Sequence, residues 1–226
     1  MANTLISEKR MIKRFNNIDY LWNSNNLKDW TMALDYYFDL VKSSNIELEK
    51  ELDNLNPEQI KRMDTREFYE FLHNKYFVWK YTQPNRLKTT RMSLEKYITN
   101  DSLDELEEIH YSIFNTDLKN TSACLKNVQR IKGLGIAGAS GLLSLLFPKY
   151  FGTVDQFVVQ RLLEINNLEE HTLLERIKKD NISLTNGTIL INIMKSKATE
   201  LNSKFKTEDW TPRKIDKILW SIGRYK

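Results

Sequence analysis

The stretch from Arg130 to Pro148 constrains the fold more than any other part of the chain. Four of the seven glycines lie in it, and a fifth, Gly152, follows closely. Because glycine has no Cβ, the backbone there can turn sharply and can be approached closely. Apolar residues recur at helical spacing on both sides of Gly133 and Gly135. The stretch therefore predicts two helices joined by a tight hairpin.

A hairpin of this kind is typical of a site that binds an anion. The first amides of the second helix have no partner within that helix. Without Cβ atoms at Gly133 and Gly135, an anion can come close to them. A phosphate diester of nucleic acid fits such a site, so we expect Lys132, Gly133, Gly135 and Ile136 to contact the DNA backbone.

This region resembles the helix-hairpin-helix DNA glycosylase superfamily, whose members include endonuclease III and the adenine and 8-oxoguanine glycosylases. The family's Leu-Pro-Gly-Val-Gly hairpin corresponds to Ile131–Gly135, and its small-residue helix to residues 137–141. Its Val-Asp pair and the aliphatic helix that ends near an arginine correspond to Val154–Arg161. The twenty positions from Gly135 to Asp155 equal the family's spacing between its second hairpin glycine and its catalytic aspartate.

The resemblance implies that Asp155 is the catalytic carboxylate of a DNA N-glycosylase. Breaking an N-glycosidic bond builds positive charge on the sugar, which a nearby carboxylate stabilises. The residues alone leave another interpretation open, because Asp155 or Thr153 could simply cap the following helix. The resemblance also implies that the main-chain carbonyls of Gln129, Ile131 and Leu134 bind a monovalent cation such as K⁺ or Na⁺, and no other cofactor is expected.

Three departures from the family pattern bear on the mechanism. Relatives that also cut the DNA backbone have a lysine where this chain has Ala137, which indicates a hydrolytic enzyme without lyase activity. Lys132 replaces the hairpin proline and would add a positive charge beside the phosphate. Phe157 replaces a histidine that is common two residues after the aspartate.

A second candidate region surrounds Pro84. Because proline forbids a continuous regular helix, we expect a loop between two helices that contains Trp79, Tyr81, Gln83 and Arg86. Aromatic, amide and guanidinium groups suit contacts with unstacked bases. By resemblance, Gln83 would fill the gap left by a flipped nucleotide, while Trp79 and Tyr81 would line the base pocket. Alternatively, both aromatic residues belong to the core and the rest is a solvated turn.

The composition excludes several classes of protein. A net charge of +4 permits nucleic-acid binding without requiring it. Cys124 is the only cysteine, which excludes a disulfide framework and a four-cysteine iron–sulfur cluster, and the three histidines lack zinc-ligand spacing. No run has transmembrane length and no secretory leader is evident, so we expect a cytoplasmic protein with no membrane partner.

Helical periodicity extends along the chain from Leu5, and strand alternation is nearly absent, so we predict an all-α fold of two lobes flanking a cleft. Residues 1–62 should pack with the C-terminal lobe, residues 63–150 should form a central lobe that ends in the hairpin, and residues 151–226 should carry the aspartate. Thr65 and Thr211 are expected N-caps. We expect Arg213, Lys214 and Lys217 on a solvated face, and the alternative is that they contact phosphates. We expect a monomer that binds DNA; the competing function is a non-catalytic DNA-binding protein of the same hairpin type.

Overall fold

The computed structural model describes residues 17–222, and within them the regular structure is helical with no β-strand. The predicted all-α class is confirmed. The predicted start of the N-terminal helical stretch at Leu5 lies outside the described residues, as do the last residues of the C-terminal stretch. None of the helices in the described range is both long enough and apolar enough to cross a membrane.

The helices are numbered in chain order. They are α1 (Ile18–Trp22), α2 (Leu27–Leu40), α3 (Ile46–Asp53), α4 (Pro57–Lys61), α5 (Thr65–Phe71), α6 (Phe77–Lys80), α7 (Pro84–Leu94), α8 (Lys96–Thr99), α9 (Leu103–Asn115), α10 (Thr121–Gln129), α11 (Ile136–Leu146), α12 (Gln156–Leu162), α13 (His171–Leu174), α14 (Leu184–Phe205) and α15 (Pro212–Ile222). A 3₁₀ turn (Ser43–Asn45) precedes α3, and a π-helical turn (Leu72–Tyr76) joins α5 to α6.

Local side-chain contacts determine where several helices begin. Asp64, not the predicted Thr65, is the N-cap of α5. Its carboxylate accepts the Glu67 amide at 2.8 Å, and the Glu67 carboxylate accepts the Asp64 amide at 2.9 Å, which forms a reciprocal capping box. Thr211 does cap α15, since its hydroxyl oxygen accepts the amide N–H of Lys214 at 3.3 Å.

The predicted loop around Pro84 is shorter in the structure than in the prediction. Trp79 lies in α6, and Pro84 occupies the first position of α7, where its missing N–H costs nothing. Only Tyr81, Thr82 and Gln83 remain between the two helices. The prediction placed the proline inside the loop, whereas it ends the loop.

A single hydrophobic core runs through the described part of the chain. The hairpin helices α10 and α11 pack against each other, and α10 also packs on α14. Helix α15 contacts α2, α12 and α14, so a helix from the start of the chain lies against one from its end. This arrangement brings the segment that contains Asp155 next to α15.

Helix α15 corrects one expectation about charge. Its apolar stripe is buried as predicted, through Ile215, Ile218 and Leu219. Arg213 and Lys217 were expected in solvent, but they are only 5% and 3% exposed. Each is buried together with a carboxylate from α3. Because α3 and α15 are far apart in sequence, the residue pattern of α15 alone does not reveal these partners.

Candidate functional site

The hairpin between α10 and α11 turns at Gly133. Its φ of +94° is a conformation that side chains rarely adopt, and a Cβ there would lie 2.9 Å from the carbonyl oxygen of Thr90. The amide N–H of Leu134 closes the turn by donating to the Ile131 carbonyl at 3.0 Å. The protein's own backbone therefore requires glycine at position 133 and holds the hairpin against α7.

Gly135 differs from Gly133 because no contact within residues 17–222 requires a glycine there. It is the N-cap residue of α11, with an extended backbone that any residue adopts and no side-chain cap. A Cβ at this position would meet no atom of the described residues within 4 Å. The start of α11 therefore faces open space, where a group from outside can approach the first amides.

Lys132 already has partners inside the protein. Its ammonium donates to the carboxylate of Glu105 at 2.6 Å and to the hydroxyl of Ser102 at 3.0 Å, and it lies 3.9 Å from the centroid of the Tyr97 ring. Its amide N–H donates to the Tyr97 hydroxyl at 3.1 Å. The charge expected to face a phosphate is thus largely neutralised by Glu105.

The three main-chain carbonyls expected to bind a cation lie at the hairpin. The Ile131 carbonyl accepts one hydrogen bond from Leu134, which leaves it a second lone pair. Among the turn, loop and cap hydrogen bonds of residues 17–222, none uses the carbonyls of Gln129 or Leu134. Carbonyl oxygens without a hydrogen-bond partner are suitable ligands for a hard monovalent cation.

Asp155 is the N-cap of α12 and is half-buried. Its Oδ1 atom accepts the amides of Phe157 and Val158 at 2.9 and 3.1 Å. The structure therefore shows Asp155 in a capping role. It uses only one carboxylate oxygen and leaves Oδ2 without a capping role.

The segment before Asp155 is held from two sides. The Thr153 amide donates to Oδ2 of Asp216 on α15 at 2.7 Å, and the Val154 amide donates to the hydroxyl of Ser140 on α11 at 2.9 Å. A Cβ at Gly152 would lie 2.6 Å from the carbonyl oxygen of Pro212, so the chain passes α15 closely. The backbone therefore fixes the position of Asp155.

Asp155 lines a cavity of about 230 Å³. The cavity lies among α2, α3, α6, α12 and α15 and the segments that join them. Its wall combines aromatic rings with several charged side chains. The aromatic residues are Tyr37, Trp79, Phe157 and Trp220, and the charged or polar ones include Glu49, Lys80, Thr82, Asp155, Arg213 and Asp216.

The structure brings only part of the predicted base-recognition set to this cavity. Trp79 lines it, and its indole N–H donates to Oε2 of Glu49 at 2.5 Å. Tyr81 is directed elsewhere, because its hydroxyl packs against the backbone of α11 at Gly138. Gln83 and Arg86 are exposed at the start of α7 and do not line the cavity.

Gln83 and Arg86 are nevertheless connected to the hairpin. Both lie at the N-terminal end of α7, and Thr90 on the same helix contacts Gly133. The Arg86 guanidinium carbon lies 5.5 Å from the centroid of the Tyr81 ring, which packs on α11. Helix α7 therefore holds Gln83 and Arg86, two candidate DNA contacts, in a defined position relative to the hairpin.

The sequence did not predict the buried charges in the wall of the cavity. Arg213 donates to Oε1 of Glu49 at 3.1 Å and to Oδ2 of Asp216 at 3.3 Å, and all three side chains are buried. Burial alone would lower the pKa of Arg213, but the surrounding carboxylates, Asp216 foremost, raise it above its ordinary value. Burial raises the pKa of Asp216 despite Arg213. The only available signal was the spacing of Arg213, Asp216 and Lys217 along α15.

Lys80 was missed as well. It is the last residue of α6 and lines the cavity together with Asp155. Burial lowers the pKa of its amine, while the negative charges of Asp155 and Asp216 act in the opposite direction. Position 80 lies far from the hairpin in sequence, and only the folded structure shows its side chain against Gly141 of α11.

Comparisons with known proteins identify no relative. No protein-family model, no curated protein and no solved structure matches this chain.

Proposed function

We propose that this protein is a DNA glycosylase of the helix-hairpin-helix type that flips a damaged or modified base out of DNA and hydrolyses its N-glycosidic bond. One observation carries the proposal. Asp155 presents a carboxylate to a cavity, twenty residues after a hairpin glycine whose Cβ position is open space. In this proposal the protein acts as a cytoplasmic monomer, and DNA lies in a cleft between the central lobe and the C-terminal lobe.

DNA backbone binding is assigned to the hairpin and to the start of α7. The uncapped amides at Gly135 and Ile136 would receive a phosphate oxygen, which fits the open space beside them. Because Lys132 is paired with Glu105, the main-chain amides would supply most of this contact. A K⁺ or Na⁺ ion on the carbonyls of Gln129, Ile131 and Leu134 would add positive charge at the same place.

Base recognition is assigned to the cavity. A glycosylase must extrude its target because the reacting atom is buried in the duplex. Trp79 would form an aromatic wall for the flipped base, whereas Tyr81 packs against α11 and is not assigned to the pocket. Gln83 and Arg86, exposed at the start of α7, would enter the gap that the nucleotide leaves.

The chemical step is assigned to Asp155 and water. As the base departs with the bonding electrons, the sugar becomes positively charged, and the free Oδ2 side of the carboxylate would stabilise it. Ala137 carries no amine, so base removal would not form a covalent intermediate at that position, and a lyase step is not part of this proposal.

A second candidate function is a non-catalytic DNA-binding protein. The observation in its favour is that Asp155 caps α12 through two amides, a structural role that is sufficient without chemistry. Such a protein would hold DNA through the hairpin without reading its sequence.

The test is incubation of the protein with a panel of duplexes that contain oxidised, deaminated, alkylated or hypermodified bases, followed by alkali, which cleaves at abasic sites. The proposed function predicts cleavage of at least one labelled duplex and loss of that cleavage in Asp155→Asn. Binding to the duplexes without any abasic product supports the second candidate.

A further inference from the structure

Lys80 reaches the cavity across the helix that follows the hairpin. Its side chain lies on α11 at Gly141, where an added Cβ would be 3.2 Å from its Cδ atom and 3.4 Å from its Cε atom. The hydroxyl of Tyr76, one turn earlier, donates to the carbonyl of Gly138 on the same helix. Small residues on α11 thus provide the path by which an amine from α6 enters the cavity of Asp155.

The Lys80 amine is uncommitted, unlike its charged neighbours. In the part of the chain that the structure describes, no hydrogen bond and no ion pair involves Lys80, and its contact with the Trp79 ring is 5.9 Å from the centroid. Glu49 and Asp216 are both held by Arg213. Lys80 is therefore a candidate proton acceptor in the cavity besides Asp155; the other lysine of the wall, Lys42, is exposed.

The surroundings lower the pKa of the Lys80 amine. Burial lowers the pKa of the amine, and the positive charge of Arg213 acts in the same direction. The carboxylates of Asp155 and Asp216 oppose both effects. A neutral amine has a lone pair that can accept a proton, and a lowered pKa increases the fraction of Lys80 in that form at any given pH.

Hydrolysis requires a negative charge beside the cationic sugar and an acceptor for the proton of the attacking water. One carboxylate does not supply both at the same moment. The negative charge of Asp155 stabilises the cationic sugar only while the carboxylate stays ionised. If the same carboxylate accepted a proton from the attacking water, that charge would be lost at the moment it is needed. In addition, Oδ1 already accepts two amides. A separate proton acceptor across the cavity resolves this conflict.

We propose that Lys80 is the general base that takes a proton from the attacking water while Asp155 stays ionised. This inference rests on the proposed glycosylase function. In the step, the C1′–N bond breaks and its electron pair leaves with the base, which is protonated by solvent. The water oxygen bonds to C1′, the water proton moves to Nζ of Lys80, and the ammonium later returns that proton to solvent.

The experiment measures single-turnover excision against pH for the wild type, Lys80→Met and Lys80→Arg. Methionine keeps an unbranched chain on Gly141 without a basic group, and arginine keeps the charge but does not give up its proton. Lys75→Met is the matched control, because Lys75 lies five residues earlier, is exposed, and among the described residues forms an ion pair with Glu51 alone. General-base catalysis typically contributes about 10²–10⁴-fold, so both Lys80 variants should be slower by about that factor.

The pH profile distinguishes proton transfer from a merely structural role. Because the neutral amine is the active form, the wild-type rate should rise with pH until Lys80 is deprotonated, and the variants should lose this rise. In Lys80→Ala, added methylamine should restore part of the rate by occupying the vacated space. This rescue decides the matter even if Lys80→Met proves poorly folded.

Three results would count against these assignments. Lys80→Arg and Lys80→Met with the wild-type rate and pH profile would overturn the role of Lys80 while leaving the glycosylase function intact. A borohydride-trapped adduct between Lys80 and DNA would overturn it too, because the amine would then be a nucleophile. Excision of no base by the wild type would overturn the proposed function itself and this inference with it.

Discussion

The amide N–H of Thr153 donates a 2.7 Å hydrogen bond to the Oδ2 atom of Asp216, which joins the segment before Asp155 to the buried end of α15. Asp216 is in turn held by Arg213, which also binds Glu49 on α3. The position of the candidate catalytic carboxylate therefore depends on the buried charges of Asp216, Arg213 and Glu49.

Arg213→Met should destabilise the protein strongly. Removing one member of a buried ionic group leaves the carboxylates of Glu49 and Asp216 buried without their partner, which typically costs about 3–5 kcal/mol. Urea unfolding followed by circular dichroism measures this change. Lys214→Met, on the same helix but outside the buried group, is the control and should change the free energy of unfolding by less than about 1 kcal/mol. Equal effects in the two variants would contradict the role given to Arg213.

The two hairpin glycines should respond differently to alanine. Gly133→Ala should lower stability by about 1–3 kcal/mol, because residue 133 has a positive φ and its Cβ would press on the Thr90 carbonyl. Gly135→Ala should leave stability nearly unchanged, because its backbone is extended and its Cβ meets no atom.

Gly135→Ala, which should hardly affect stability, should weaken DNA binding. Gly135→Ala places a methyl group where the phosphate is proposed to lie, so its affinity should fall about equally for all duplexes, since phosphate contacts carry no sequence information. Fluorescence anisotropy with several duplex sequences at fixed salt provides the measurement. Unchanged affinity, or a loss confined to one sequence, would argue against the hairpin as the backbone contact.

Gln83→Ala should slow excision from paired duplex more than from single-stranded DNA. Gln83 is exposed at the start of α7, and filling the gap left by a flipped nucleotide matters only when a base stack must be held open. Single-turnover rates on the two substrates give the comparison, and the single strand serves as the internal control. Equal slowing on both would make Gln83 an ordinary surface residue.

His110 should make stability depend on pH. Its Nε2 donates to the Ile60 carbonyl at 2.9 Å, its ring lies 4.1 Å from the centroid of Phe68, and burial lowers its pKa from the ordinary 6.5. Because the folded pKa is the lower one, the contribution of the neutral ring is complete above pH 6.5 and is lost as pH falls through the folded pKa.

The measurement for His110 compares urea midpoints of the wild type and His110→Gln between about pH 7.5 and pH 5. Glutamine keeps a donor for the carbonyl but does not titrate. The wild type should lose more stability than the variant over this range. Parallel curves for the two proteins would show that His110 does not couple to folding.

The sequence predicted the all-α class, and it left open a capping role for Asp155, because helical periodicity and capping residues are local signals. It missed Lys80 and the burial of Arg213, since both depend on contacts between elements far apart in the chain. Trp79 and Tyr81 show the same limit. They are two residues apart, yet α6 directs Trp79 toward the cavity and Tyr81 toward α11. No local pattern distinguishes these two directions.

The most direct test of the account is single-turnover excision by Asp155→Asn on whichever lesion duplex the wild type cleaves. Asparagine keeps the oxygen that caps α12 but removes the charge, so stability and DNA affinity should be nearly unchanged while excision slows by about a hundredfold or more. Asp64→Asn makes the same change at the N-cap of α5 and should excise at the wild-type rate. Normal excision by Asp155→Asn would contradict the catalytic role of this carboxylate and leave it a helix cap.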